Sequence, residues 1–151
     1  MTDQPQVTIR EVTIADRDTA YRMICGLEDL LLNREGFDFV FDKNIENPNI
    51  RYFLGELSGK PVGMVSCHIQ PLLHHAALVS EIQEMYVEPE FRSLKIGKAL
   101  IARVVDFAKS AGAIQMEVTS RNIREHAHRF YQREGFEKSH VKLVRYFRDE
   151  K

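Results

Sequence analysis

The stretch Glu84–Gly112, EMYVEPEFRSLKIGKALIARVVDFAKSAG, holds a strand-like run, a short charged turn, and then an arginine and a glycine at the mouth of a helix. From Gly97 onward Leu100, Ile101, Val104, Val105 and Ala108 recur at the spacing of one helical face, while Lys98, Arg103, Asp106 and Lys109 take the other. Gly112 marks the stop. A strand ending at Val87 and a helix beginning near Leu94 leave the backbone N–H groups of residues 94 to 98 pointing at one spot. Orphan donors and the helix dipole together favour an anion there, and Arg92 and Lys98 add positive charge. Any helix that follows a strand has such an end, so the turn by itself is equally compatible with water. A P-loop is excluded: it requires glycine where Arg92 stands and Ser or Thr where Ala99 stands. The three glycines of a dinucleotide fingerprint are missing as well. The anion is therefore neither a nucleoside triphosphate nor NAD.

Upstream, VTIREV alternates like a half-buried strand, and Ala20, Ile24, Leu27 and Leu31 mark a helix from about 15 to 32. FVFDKNIENPN holds a short second helix that must stop near Pro48, because a residue before proline is pushed out of the helical region. IRYFLGEL, PVGMVSCHIQPLL and ALVSEIQEMYV read as three strands of an antiparallel meander, with SGK as a turn. Downstream, AIQMEVTS is a strand, and Asn122 with Glu125 forms a capping box for a helix through IREHAHRFYQRE, ended by Gly135. FEKSH and VKLVRYF close the chain as a hairpin. This order predicts an α+β (mixed α/β) fold in a single domain, 1–151, with helices on both faces of a sheet.

Composition narrows the function. With 151 residues, 44% hydrophobic, 28% charged and a net charge of -1, the chain lacks the clustered positive charge of a nucleic-acid binder. Cys25 and Cys67 stand far apart with no CxxC spacing, so neither a disulfide framework nor a zinc knuckle is expected and a reducing cytoplasm fits. MTDQPQVTIREV is no charged-apolar leader, and no run approaches the length of a membrane span.

MYVEPEFRSLKIGKAL resembles the acetyl-CoA-binding motif of the GNAT N-acetyltransferases, in which a strand, R/Q-x-x-G-x-G/A and a helix hold the CoA pyrophosphate. VTSRNIREHAHRFYQREGF resembles the later signature of that family. Arg92 and Gly97 match strictly, whereas Ser93 and Lys95 stand where the family has glycine. Lys95 can still donate its backbone N–H if its conformation is helical and its side chain swings away. The resemblance implies the GNAT fold, a mostly antiparallel twisted sheet of six to seven strands. It implies acetyl-CoA as co-substrate, held by Met85, Tyr86, Val87, Arg92, Leu94, Lys95, Ile96, Gly97 and Lys98, with Asn122 on the pantetheine arm. Capping explains Asn122 equally well. HIQPLLHHAALVSEIQE, NPNIRYFLGEL and EHAHRFYQREGFEKSH resemble the branch that acetylates aminoalkylphosphonates, implying a small-molecule amine substrate. The family also implies a homodimer through its last strands.

The chemistry sets requirements. An alkylammonium titrates near 10.4, so at neutral pH about one molecule in a thousand is the free amine, at a cost of roughly 4–5 kcal/mol. A positioned base recovers part of that. Glu81 and Glu84 have opposite parity, and so face opposite sides of the sheet unless a bulge intervenes. By resemblance Glu81 is the base, through water, with Glu84 in reserve. Tyr131 matches the family's acid for the departing thiolate, although Ile123, Ala127 and Phe130 share its helix side, as around a core aromatic. A backbone N–H near Tyr86 or Val87 would polarise the carbonyl. Arg51, His75 and Glu84 are substrate candidates, Arg51 because a phosphonate dianion needs a cation. A divalent metal among His68, His74, His75 and Glu81 is possible but not predicted, His74 and His75 being its candidates. His126, His128 and His140 read as surface residues. Alternatives are the same chemistry on a polyamine, an aminoglycoside or a protein N-terminus, and a non-catalytic acyl-CoA sensor.

Overall fold

The computed structural model describes residues 6–121 and 124–148. The chain divides into two compact units, one running to Val118 and the other from Thr119.

The first unit is built on a six-stranded sheet. β1 (Val7–Glu11), β2 (Ile50–Leu57), β3 (Lys60–Leu72), β4 (Ala77–Ile82) and β6 (Met116–Val118) lie in that order, and β5 (Met85–Val87) pairs with β3. Among the described strands only the β4–β6 pairing is parallel. The meander follows from its turns. Ser58 and Gly59 both take positive φ, 51° and 78°, the twist that suits a tight hairpin between β2 and β3.

Two helices cover one face. α1 (Arg17–Glu28) ends at Asp29 in the left-handed conformation, and α2 (Arg34–Ile45) is capped by Asn33, whose side chain accepts the Gly36 N–H at 2.6 Å. Ala20 and Met23 of α1 and Phe41 of α2 close over Leu54 and Met64 of the sheet. On the other face lies α3 (Ile96–Ser110), in which Leu100, Ile101, Val104 and Ala108 are buried as expected from the sequence, Ile96 joins them, and the expected Val105 is only half-buried. Phe53 meets Phe107 of α3 edge-on at 6.2 Å between ring centroids.

The second unit contains α4 (Glu125–Arg133), after which Gly135 turns the chain at φ 97°. Tyr131 stacks edge-on with Phe130 and Phe136 at 5.3 and 5.6 Å. The expected closing hairpin is corrected here: residues 136–148 form no strand. Val141, Leu143, Val144, Tyr146 and Phe147 lie exposed along them. Alternation reports which faces a segment could bury. Forming a strand also needs a neighbour for the backbone, and an isolated two-stranded hairpin is marginal in water. The Asn122 half of the expected capping box lies outside the described residues.

Candidate active site

The site is organised by a break in one strand. β4 pairs with β3 through His68 opposite Glu81, and β5 resumes with Val65 opposite Met85. Four steps along the outer strand thus answer three along β3. One residue is extra, and the exposed Gln83 lies in the bulge. Beyond the Ile82–Val118 pair, β5 is held by β3 alone among the described strands.

This bulge decides the orientation of the two carboxylates. Glu81 shares a face with His68 by direct pairing, and Tyr86 shares one with Met64, which packs in the core under α1 and α2. The extra residue reverses the parity between them. Glu81 and Glu84 therefore point to the same side of the sheet, the side of α1 and α2.

Glu84 is held closely. Its backbone N–H donates to Ser66 Oγ at 2.8 Å, its carbonyl accepts the Ser66 N–H at 2.9 Å, and its Oε1 accepts the Ser66 hydroxyl at 2.5 Å. Tyr52, the cross-strand partner of Ser66, has its hydroxyl bonded by Asn44 Nδ2 at 2.8 Å. Burial pushes the Tyr52 phenol up. The Asn44 hydrogen bond opposes that rise and the Glu84 charge adds to it. Ser66 and Tyr52 were missed in the sequence. The signal was a serine within the apolar run VGMVSCHI, because a polar group buried in a central strand needs a partner.

Since Glu84 O and Glu88 N both bond to β3, strand alternation turns the backbone groups of Met85 and Val87 to the outer edge and those of Tyr86 inward. Arg92 closes that edge at its end: its Nε donates to Val87 O at 2.9 Å, and its guanidinium sits 5.7 Å from the Tyr86 ring centre.

A single 3-10 turn, Pro89–Phe91, then leads to α3. Two expectations are corrected. The helix starts at Ile96, and the Leu94 N–H is already used, donating to Phe91 O at 3.2 Å. Lys95 is not helical but left-handed, with φ 62° and ψ 24°. A left-handed residue at that position explains why glycine suits it. The Ala99 N–H is the first to reach back, to Lys95 O at 3.2 Å, so the Ile96 and Gly97 N–H groups head the helix. Gly63 couples this mouth to β5. A Cβ there would stand 3.0 Å from Tyr86 O and 3.2 Å from Ile96 Cγ2.

Other expected residues fall elsewhere. Arg51 pairs with Cys67, on the opposite face from Glu84; its guanidinium lies 5.2 Å from the Phe107 ring centre and 3.4 Å from Glu11. His74 and His75 lie in the turn between β3 and β4, with their rings 4.3 Å apart. His75 Nε2 reaches Glu117 at 4.0 Å, and Glu117 is the partner of Glu81. The structure thus gathers Glu81 and Glu84 on one face but brings neither Arg51 nor His75 to Glu84. Among the described residues no three His, Cys, Asp or Glu side chains form a group able to hold a metal. In the second unit Tyr131 is half-buried, and burial holds its phenol above the ordinary range, partly offset by Arg124.

The sequence profile of the acetyltransferase (GNAT) family matches residues 18–136. The chain is 40% identical over 141 residues to an aminoalkylphosphonate N-acetyltransferase of Salmonella typhimurium, covering 93% of this chain and 92% of the relative. It is 29% identical over 96 residues to a glucosamine 6-phosphate N-acetyltransferase of Trypanosoma brucei brucei, covering 63% of each. An aminoglycoside N-acetyltransferase solved with CoA superposes with a TM-score of 0.86 at 16% identity, covering 99% of both chains.

Proposed function

The chain belongs to the acetyltransferase (GNAT) family and is an acetyl-CoA-dependent N-acetyltransferase, and from that membership we propose that it acetylates the primary amine of a small aminoalkylphosphonate. The 40% identity to the Salmonella enzyme over nearly the whole of both chains carries this reading. The family match runs across both units, which supports one working domain over the whole chain.

Acetyl-CoA supplies the activated acyl group. The outer edge of β5 offers the Val87 N–H to the thioester carbonyl, and the first turn of α3, with Ile96 and Gly97, faces the pyrophosphate, where donors and dipole act together. A carboxylate on the α1/α2 side takes the proton of the ammonium, and Glu81, working through water, and Glu84 are the two candidates. The freed amine attacks the carbonyl carbon, the C–N bond forms and the C–S bond breaks. Tyr131, protonated at neutral pH, gives its proton to the leaving thiolate. Tyr131→Phe lowers kcat at least tenfold with CoA affinity unchanged in steady-state kinetics and calorimetry; an unchanged kcat removes Tyr131 as the acid. The exposed apolar residues from Val141 to Phe147 support a homodimer.

The deciding experiment measures CoA thiol release with 1- and 2-aminoethylphosphonate, glucosamine 6-phosphate, spermidine and an aminoglycoside, each with and without EDTA. Selective turnover of the aminoethylphosphonates is expected. Selective turnover of another amine keeps the transfer chemistry and replaces the substrate.

A further inference from the structure

Two serines are fully buried in the sheet, Ser66 and Ser80, and they spend their hydroxyls differently. Ser80 donates to the Gln115 carbonyl at 2.7 Å, next to its partner Met116 in β6, a contact between backbone-defined elements. Ser66 donates instead to a carboxylate, Glu84 Oε1, and its oxygen also receives the N–H of that same residue. One hydroxyl therefore fixes both the backbone and the side chain of Glu84 at the bulge. With both Ser66 backbone and side chain engaged, few rotamers remain open to the carboxylate. The oxygen held this way, Oε1, belongs to the residue immediately before Met85, whose backbone faces the outer edge of β5.

Glu81 differs in setting. It lies inside the paired region, flanked by His68 on β3 and Glu117 on β6, whereas Glu84 stands where β6 has ceased to pair.

We infer that Ser66 is a positioning residue, whose buried hydroxyl holds the Glu84 carboxylate at the β4–β5 bulge to receive the proton of the amine substrate. The inference rests on the proposed acetyl transfer. In the step, one N–H bond of the ammonium breaks, an O–H bond forms on Glu84, and the neutral amine keeps the electron pair with which it attacks the thioester. Ser66 itself exchanges no proton with substrate.

The test is a double-mutant cycle on the full-length protein. Glu84→Gln, Ser66→Ala, their combination, Ser66→Thr and Glu81→Gln are assayed for kcat, amine KM and acetyl-CoA affinity, with thermal unfolding as a check on folding. For a misplaced general base, Ser66→Ala is expected to lower kcat by about tenfold, leaving acetyl-CoA affinity unchanged. Ser66→Thr, which keeps the hydroxyl, restores most of it. In the Glu84→Gln background, Ser66→Ala costs nothing further, because two residues acting as one unit are not additive. A merely structural serine gives the same loss in both backgrounds, and that result overturns the inference. So does a Glu84→Gln enzyme that keeps full kcat while Glu81→Gln loses it. A wild-type enzyme that binds CoA but transfers acetyl to no amine sinks the proposed function and this inference together, an outcome separable from the others because it appears before any substitution.

Discussion

At the residue scale, Lys95 carries a departure from the family motif that is also a local strain. A residue with a Cβ in the left-handed region costs about 1–2 kcal/mol relative to the right-handed one, and Lys95 occupies it at the mouth of α3. Lys95→Gly is therefore expected to stabilise the protein by about 0.5–1 kcal/mol after glycine's larger unfolded-state entropy is counted. The measurement is a urea midpoint shift at unchanged slope. An unchanged or lower midpoint would mean that the lysine side chain contributes more than its backbone costs. The sequence showed that glycine was missing there, but the handedness of the residue emerged only from the turn around it.

At the scale of elements, β5 and α3 are coupled through a single glycine. Gly63 leaves room for Tyr86 O, Ile96 and Leu100, the last two within 3.2 Å of where a Cβ would be. Gly63→Ala pushes β5 and the first turn of α3 apart, with an expected loss of about 1–3 kcal/mol from overpacking. Acetyl-CoA affinity should fall as well, which titration calorimetry on the folded variant reads out. Intact affinity would show that the edge of β5 and the helix mouth do not act jointly.

A second pair of elements is tied by charge. Arg10 of β1 forms two hydrogen bonds, both 2.8 Å, with Asp16 in the turn before α1. The hydrogen bond from Arg10 is the main cause that holds the Asp16 carboxyl at about 2, below its ordinary 3.8; burial opposes it and the Thr13 N–H assists. Because the folded value lies below the unfolded one, the stabilisation is full above about pH 4 and lost as pH falls from 3.8 towards 2. Stability against pH should thus drop less steeply in Asp16→Asn across that window. Parallel curves for the two proteins would remove this pair as a source of acid sensitivity. The strands and helices themselves were largely legible, since IRYFLGEL is β2 residue for residue and α3 departs from expectation by two residues at its start. What could not be read was the bulge between Glu81 and Met85. No glycine or proline marks it, and it exists only because β3 pairs on both sides of it with different registers.

For the whole molecule, the tail from Val141 to Phe147 raises the question of assembly. Leu143 and Phe147 are each at least 90% exposed, and apolar side chains of that size are seldom left in water in a row. The homodimer proposed above predicts twice the monomer mass by light scattering at micromolar concentration, with Leu143→Lys/Phe147→Lys shifting the protein to monomer. A monomeric wild type would discard the dimer. The expected hairpin in this tail failed for a reason that belongs to this scale: pairing partners are a property of the assembled sheet, and alternation within VKLVRYF does not supply one.

Legible along the chain were the fold class, the order of elements as far as α4 except for the split of the third meander strand into β4 and β5, the Arg92 and Gly97 spacing ahead of α3, and the resemblance to the family. Each of these is written in local periodicity or in a short spacing of residues. Tertiary structure alone decided that Glu81 and Glu84 share a face, that Ser66 grips Glu84, that Arg51 lies on the opposite side with Phe107, and that Lys95 is left-handed. These are relations between strands distant in sequence, and a one-residue change in register, invisible along the chain, turns a side chain from one face of the sheet to the other.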